Sequence, residues 1–118
     1  MASVHLTDDE LVVHLSRPEK LAALHGDVRV PGTAIRSVAV ERQPLAAVRG
    51  LRAPGLSIPG RTKIGTWRRF RHRGFVVARR DMPALRVRLA GAPYDDVLVS
   101  TPDAEATAAA IRERWLAA

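Results

Sequence analysis

Ten residues, Thr66-Trp67-Arg68-Arg69-Phe70-Arg71-His72-Arg73-Gly74-Phe75, hold most of the chemistry this chain offers. Guanidinium groups bind phosphate bidentately, and aromatic rings set between them can stack on bases or lie at a lipid headgroup layer. Arg71-His72-Arg73-Gly74 reads as a turn between two strands. The candidate anion- or partner-binding residues are therefore Lys63, Arg68, Arg69, Arg71 and Arg73, with Phe70 among them. Trp67 and Phe75 flank the turn where core-facing hairpin residues belong, which leaves Phe70 as the exposed ring. No Asp or Glu occurs between Arg42 and Arg80, so these cations have no acidic neighbour close in sequence. The competing reading is a solvated basic loop.

Other chemistry is harder to find. Gly60 to Gly65 has the glycine spacing of a phosphate loop, but Thr66 stands where the lysine would have to reach the phosphates. The histidines His5, His14, His25 and His72 show no metal-ligand spacing, and no metal site is expected. There is no cysteine, so thiolate catalysis, disulfides and cysteine zinc sites are excluded. No Gly-x-Ser-x-Gly elbow occurs. Asp8-Asp9-Glu10 and Asp95-Asp96 could pair carboxylates, yet both fall at turns or strand edges, where solvated turn chemistry is the commoner use. No catalytic residue and no cofactor is assigned, and an enzyme ranks last among the functions considered.

The chain has 118 residues, the size of one domain with one core, here a single domain over 1–118. Lys and Arg number 19 against 12 Asp and Glu, a net charge of +7. That balance suits anionic partners such as nucleic acid or a membrane surface. Nearly all the basic residues are arginine in an alanine-rich chain, which GC-rich coding alone would also produce. Asp8, Asp9 and Glu10 interrupt the first apolar residues, so no signal peptide is read there, and no apolar run is long enough to span a bilayer. A cytoplasmic location is the expectation.

The elements that must position the basic stretch are short strands, turns and one helix. Val4 to Leu6 and Leu11 to Leu15 flank the acidic turn Thr7-Asp8-Asp9-Glu10 as a first hairpin. Ser16-Arg17-Pro18-Glu19 has the capping-box spacing, so Arg17 to Leu24 should form a short helix that packs Leu21 and Leu24 on the body. Asp27 to Pro31 and Ile35 to Glu41 read as strands, the second with a bulge near Arg36-Ser37. Pro44 to Val48 could form one helical turn ended by Gly50. Gly50 to Gly65, where glycine recurs every five residues, reads as an extended surface loop. Ala84 to Leu89 and Tyr94 to Ser100 form a hairpin around Gly91-Ala92-Pro93. A helix follows from Pro102 to about Leu116, with Thr101 as its cap and Ala104, Ala108, Ile111 and Trp115 on one buried face.

This order, carried by Ala53-Pro54-Gly55, Gly65-Thr66-Trp67, Phe75, Pro83 to Leu89, Gly91, Tyr94-Asp95 and the helix ending at Trp115, resembles the pleckstrin-homology-like superfold. More narrowly, it is similar to a family of small actinobacterial PH-like proteins. The resemblance implies a mainly β fold, a roll or partly open barrel of about seven antiparallel strands, closed by the C-terminal helix. It also implies a non-catalytic interaction module for a protein, a peptide or an anionic surface, with nucleic acid at the basic hairpin around residues 67–75 as the alternative. Inositol phosphate is not expected at the first hairpin loop, because lipid-binding PH domains place a Lys/Arg cluster there and this loop is acidic.

Overall fold

The computed structural model describes residues 2–23, 26–47, 51–58, 61–69 and 71–116, with positions 22–23, 46–47, 51–58 and 69 described in their backbone alone. The chain runs β1 (Ser3–Leu6), β2 (Glu10–His14), α1 (Arg17–Ala23), β3 (Val28–Pro31), a 3-10 turn (Gly32–Ala34), β4 (Ile35–Glu41) and α2 (Pro44–Ala47). It continues as β5 (Leu51–Ile58), β6 (Thr62–Arg69), β7 (His72–Arg79), β8 (Ala84–Leu89), β9 (Asp96–Ser100), α3 (Ala104–Ile111) and a π-helical segment, Arg112–Leu116.

The strands form two sheets, one of order β1-β2-β3 and one of order β4-β8-β9-β7-β6-β5. The architecture is mainly β with a C-terminal helix, as expected, but the described strands number nine rather than about seven, and they lie in two sheets that close no barrel. One pairing, β7 with β9, is parallel. The expected all-antiparallel roll fails at that point because β9 enters between β7 and β8 instead of adding to an edge.

The inner faces of both sheets meet in one core. Leu11 and Val13 of β2 and Val28 and Val30 of β3 pack with Phe75 and Val77 of β7, Leu85 and Val87 of β8, and Ala108 and Ile111 of α3. Strand alternation accounts for this: Leu85, Val87 and Leu89 are buried while Arg88 between them is exposed. The outer face of the larger sheet has a second, smaller cluster of Trp67, Val76, Ala78, Ala84 and Leu98, with Leu45 of α2 packed against it.

Several sequence expectations hold in detail. In the first turn the Thr7 hydroxyl accepts the Glu10 N–H at 3.0 Å. The capping box is present: the Glu19 carboxylate accepts the Ser16 N–H at 2.8 Å, and the Glu19 N–H donates to the Ser16 hydroxyl at 3.4 Å. The ladder of β4 shifts register between Ile35 and Ser37, which places the bulge at Arg36.

Other expectations are corrected. The stretch read as a loop contains β5, which pairs with β6 through a register shift between Arg52 and Gly55. β5 is an edge strand, the position where Pro54 removes no needed donor; Gly50, Pro59 and Gly60 lie outside the described residues. Leu21 is 76% exposed, so α1 is not held by that side chain, and Leu24 lies outside the described residues. Instead Glu19, 1% exposed, anchors α1: it accepts the Ala2 N–H at 3.0 Å and pairs with Arg79 at 2.7 Å. The C-terminal helix begins at Ala104 rather than Pro102, because Thr101 to Asp103 form a turn in which the Ala104 N–H reaches the Thr101 carbonyl. Ala104, Ala108 and Ile111 are fully buried, whereas Trp115, in the π-helical segment, is only half-buried. Its indole lies where a side chain on Gly32 would stand, so the 3-10 turn accepts it only because position 32 has no Cβ.

Among the described residues no helix is long and apolar enough to cross a membrane.

Candidate partner-binding surface

β6 and β7 form a tighter hairpin than the sequence suggested. Arg69 pairs with His72, Arg68 with Arg73 and Trp67 with Gly74, so His72, Arg73 and Gly74 belong to β7 rather than to the turn. Arg71 has a φ of 53°, a left-handed backbone that arginine seldom adopts. Phe70 lies outside the described residues, and Arg69 is described in its backbone alone.

Residues directly opposite in an antiparallel pair share a face. Arg68 and Arg73 therefore project on the side of Phe75 and Val77, at the mouth between the two sheets, while His72 projects on the side of Trp67. Lys63 sits at the far end of β6, six residues from Arg69 and so about 20 Å away at ~3.3 Å per residue. Its ammonium donates to the Leu45 carbonyl at 3.2 Å, which ties it to α2 rather than to the basic cluster. The structure brings Arg68, Arg71 and Arg73 to one end of the hairpin and leaves Lys63 out.

Acidic residues distant in sequence do reach this tip. β9 runs beside β7, and its first residue Asp96, with Asp95 just before it, comes to the turn. Asp95 and Arg73 exchange two bonds: the Arg73 N–H donates to the Asp95 carboxylate at 2.7 Å, and the Asp95 N–H donates to the Arg73 carbonyl at 2.7 Å. The Asp96 carboxylate lies 3.3 Å from His72 Nε2. It rests against bare backbone at Gly74, where a Cβ would stand 2.5 Å from Oδ1. These carboxylates are spent on a backbone N–H and an imidazole, and among the described residues none pairs with the guanidinium of Arg68 or Arg73.

Arg73 is held by a short aromatic stack. Its guanidinium carbon lies 4.7 Å from the centroid of Tyr94, and Tyr94 in turn packs on Phe75 at 5.6 Å with the rings tilted by 59°. Tyr94 is 5% exposed and Phe75 fully buried, so the cation stands on a rigid floor. Its Nε is buried and has no hydrogen-bond partner among the described residues. Such a donor costs free energy until an acceptor reaches it.

Beside this guanidinium opens a crevice of about 180 Å³, walled by Arg73, Tyr94, Pro93 and Leu89 on one side and by Arg29 and Val30 of β3 on the other. Asp27 stands at its edge, but its carboxylate accepts the Leu15 N–H at 2.9 Å and lies 3.0 Å from His14 Nδ1 and 3.6 Å from Lys20 Nζ. The Leu15 N–H foremost, with His14 and Lys20, outweighs partial desolvation and holds the Asp27 carboxyl below the usual carboxylate range. Arg29 is exposed and only loosely paired, 3.4 Å from Glu10.

Sequence reasoning missed Arg29 and Tyr94. The run Val28-Arg29-Val30 alternates and could have placed Arg29 on the solvent side of a strand, but nothing in the sequence sets β3 across from Arg73. Among the described residues no three His, Asp or Glu side chains converge in a way that could hold a metal ion. The chain matches no protein-family model, no curated protein and no solved structure.

Proposed function

We propose that this chain is a non-catalytic interaction domain that holds a protein or peptide partner by its acidic groups, at the mouth formed by Arg68, Arg73 and Tyr94. The observation that carries this reading is Arg73: one face of its guanidinium is stacked on a buried tyrosine, and its Nε–H is desolvated without an acceptor beside an open crevice. A carboxylate entering there would satisfy the Nε–H and could bind the planar fork bidentately. Arg68, directly opposite and exposed, adds a second cation on the same face.

The non-catalytic part is supported by how the perturbed carboxylates are used. Glu19 and Asp27, both held below the usual range, are each bound to a backbone N–H and a cation in structural roles. A PH-like scaffold belongs to the same proposal: two sheets and a C-terminal helix favour it, and the parallel β7–β9 pair counts against it.

The test is a titration of labelled polyglutamate, anionic and neutral vesicles, and single- and double-stranded DNA, comparing wild type with a variant changed to Ser at Arg68, Arg69, Arg71 and Arg73. Polyglutamate binding should fall about tenfold or more in the variant, the loss of roughly one charge-assisted contact. Equal binding by both proteins overturns the reading. Tighter retention of DNA with a steep salt slope moves the assignment to nucleic acid.

A further inference from the structure

The wall of the crevice opposite Arg73 is a strand edge, and its hydrogen-bonding state can be worked out from the register. β3 pairs with β2 through Pro31 with Glu10, Val30 with Leu11, Arg29 with Val12 and Val28 with Val13, and no described strand lies on its other side. One position further on, the Gly32 N–H donates to the Asp9 carbonyl at 2.8 Å, which marks that pair as hydrogen-bonded. Bonded and non-bonded pairs alternate along an antiparallel ladder. Val30 and Val28 therefore spend their backbone groups on β2, while Arg29 turns its N–H and C=O away from β2, toward the crevice. Pro31, the other outward-facing residue, has a carbonyl but no N–H to offer.

We infer that the crevice takes an extended peptide segment that adds to the free edge of β3, bonding the backbone of Arg29 and placing an acidic side chain on Arg73. This rests on the binding reading above and specifies the partner's conformation. Three features converge on it. An added strand lies about 4.8 Å from its neighbour, which puts it inside the crevice rather than over it. The opposite wall offers Leu89 and Tyr94 as apolar surface, while Arg29 and Arg73 flank the path with positive charge, the complement of an acidic segment. The volume of about 180 Å³ is below the ~300 Å³ of an ordinary small-molecule pocket, so it suits one or two residues of a passing chain. Backbone bonding would supply affinity, and the Arg73 guanidinium would select for the acidic residue.

The experiment uses the full chain, labelled with nitrogen-15, and the synthetic peptide Ser-Thr-Val-Glu-Val-Thr-Ser as probe. Its Glu→Gln form and a form N-methylated at the valine after the glutamate serve as comparisons. The Arg29 backbone N–H and the Arg73 Nε–H should both shift on titration, and the Gln peptide should bind about tenfold more weakly. Arg29→Ala removes the side chain, and Arg29→Pro also removes the outward N–H while leaving the bonds to β2 in place. Arg29→Pro should therefore bind at least about tenfold more weakly than Arg29→Ala. Should Arg29→Pro fail to fold, loss of binding by the N-methylated peptide replaces it. Equal binding by the two variants, or by the methylated peptide, overturns strand addition. Shifts confined to Arg68 and Arg71 would overturn it while leaving the acidic-partner reading intact. Silence of every resonance with both this peptide and polyglutamate would overturn both.

Discussion

The Arg79 guanidinium meets the Glu19 carboxylate at 2.7 Å across 60 residues of sequence, joining the first helix to the end of β7. Glu19 is the buried partner, with 1% of its side chain exposed against 30% for Arg79. Burial alone would raise its pKa, but the Ser16 N–H, Arg79 and the Ser16 hydroxyl outweigh burial and hold the carboxyl below its usual range. The pair does for α1 what an apolar stripe does for longer helices.

Replacing Arg79 by Met should cost about 2 to 3 kcal/mol in urea unfolding, under the ~3 to 5 of a fully buried pair because Arg79 remains partly solvated. Glu19 would be left buried without its guanidinium partner. A loss within experimental error would mean that α1 is held by something else.

The acid limb of stability follows from the same carboxylate. Its folded pKa lies below the unfolded one, so the stabilisation is complete above about pH 4.3 and is lost as pH falls through the lower folded value. Asp27 is shifted the same way and adds to the slope. Unfolding midpoints measured from neutral to acid pH should fall less steeply in Glu19→Gln, which starts from lower stability at neutral pH, than in wild type.

Gly32→Ala should destabilise the fold by roughly 1 to 3 kcal/mol, because the new methyl would overlap the Trp115 indole. Trp115→Ala should cost about 2 kcal/mol, less than a fully buried ring. The double variant should be no less stable than Trp115→Ala alone, since the collision is gone. Additive losses would show that the indole does not rest on that turn.

The two apolar clusters should differ in weight. Phe75→Ala, at the centre of the main core, should cost about 4 kcal/mol, and Leu45→Ala, the half-buried cover of the outer cluster, about 1 to 2 kcal/mol. Chemical denaturation of both variants checks the order.

Local patterns were legible wherever neighbours in sequence set the geometry: the Thr7 turn, the Ser16–Glu19 box, the bulge at Arg36, strand β8 and the Ala104–Ala108–Ile111 face. What was not legible depends on residues far apart. The glycines and Pro54 of the central stretch suggested a loop, because an edge position and a bulge that tolerate proline cannot be seen without the sheet. Lys63 and Arg68 look like one cluster in sequence, yet a strand carries them to opposite ends. Asp95 and Asp96 reach the basic turn only through the parallel pairing of β9 with β7. The mouth at Arg73 was half-visible: its cations were named, while Tyr94 and Arg29, which give it a floor and a facing wall, come from other elements.

The place of β9 in the larger sheet also bears on how the chain comes together. The β5-β6-β7 meander can form from neighbouring segments, but β4 joins it only through β8 and β9, so the sheet stays in two pieces until the chain has been made as far as Ser100. Pairings so distant are slow to close. On a ribosome the sides of β8 and β7 that β9 will join would stand exposed until β9 emerged, and a chain truncated before β9 would keep both as unpaired strand edges.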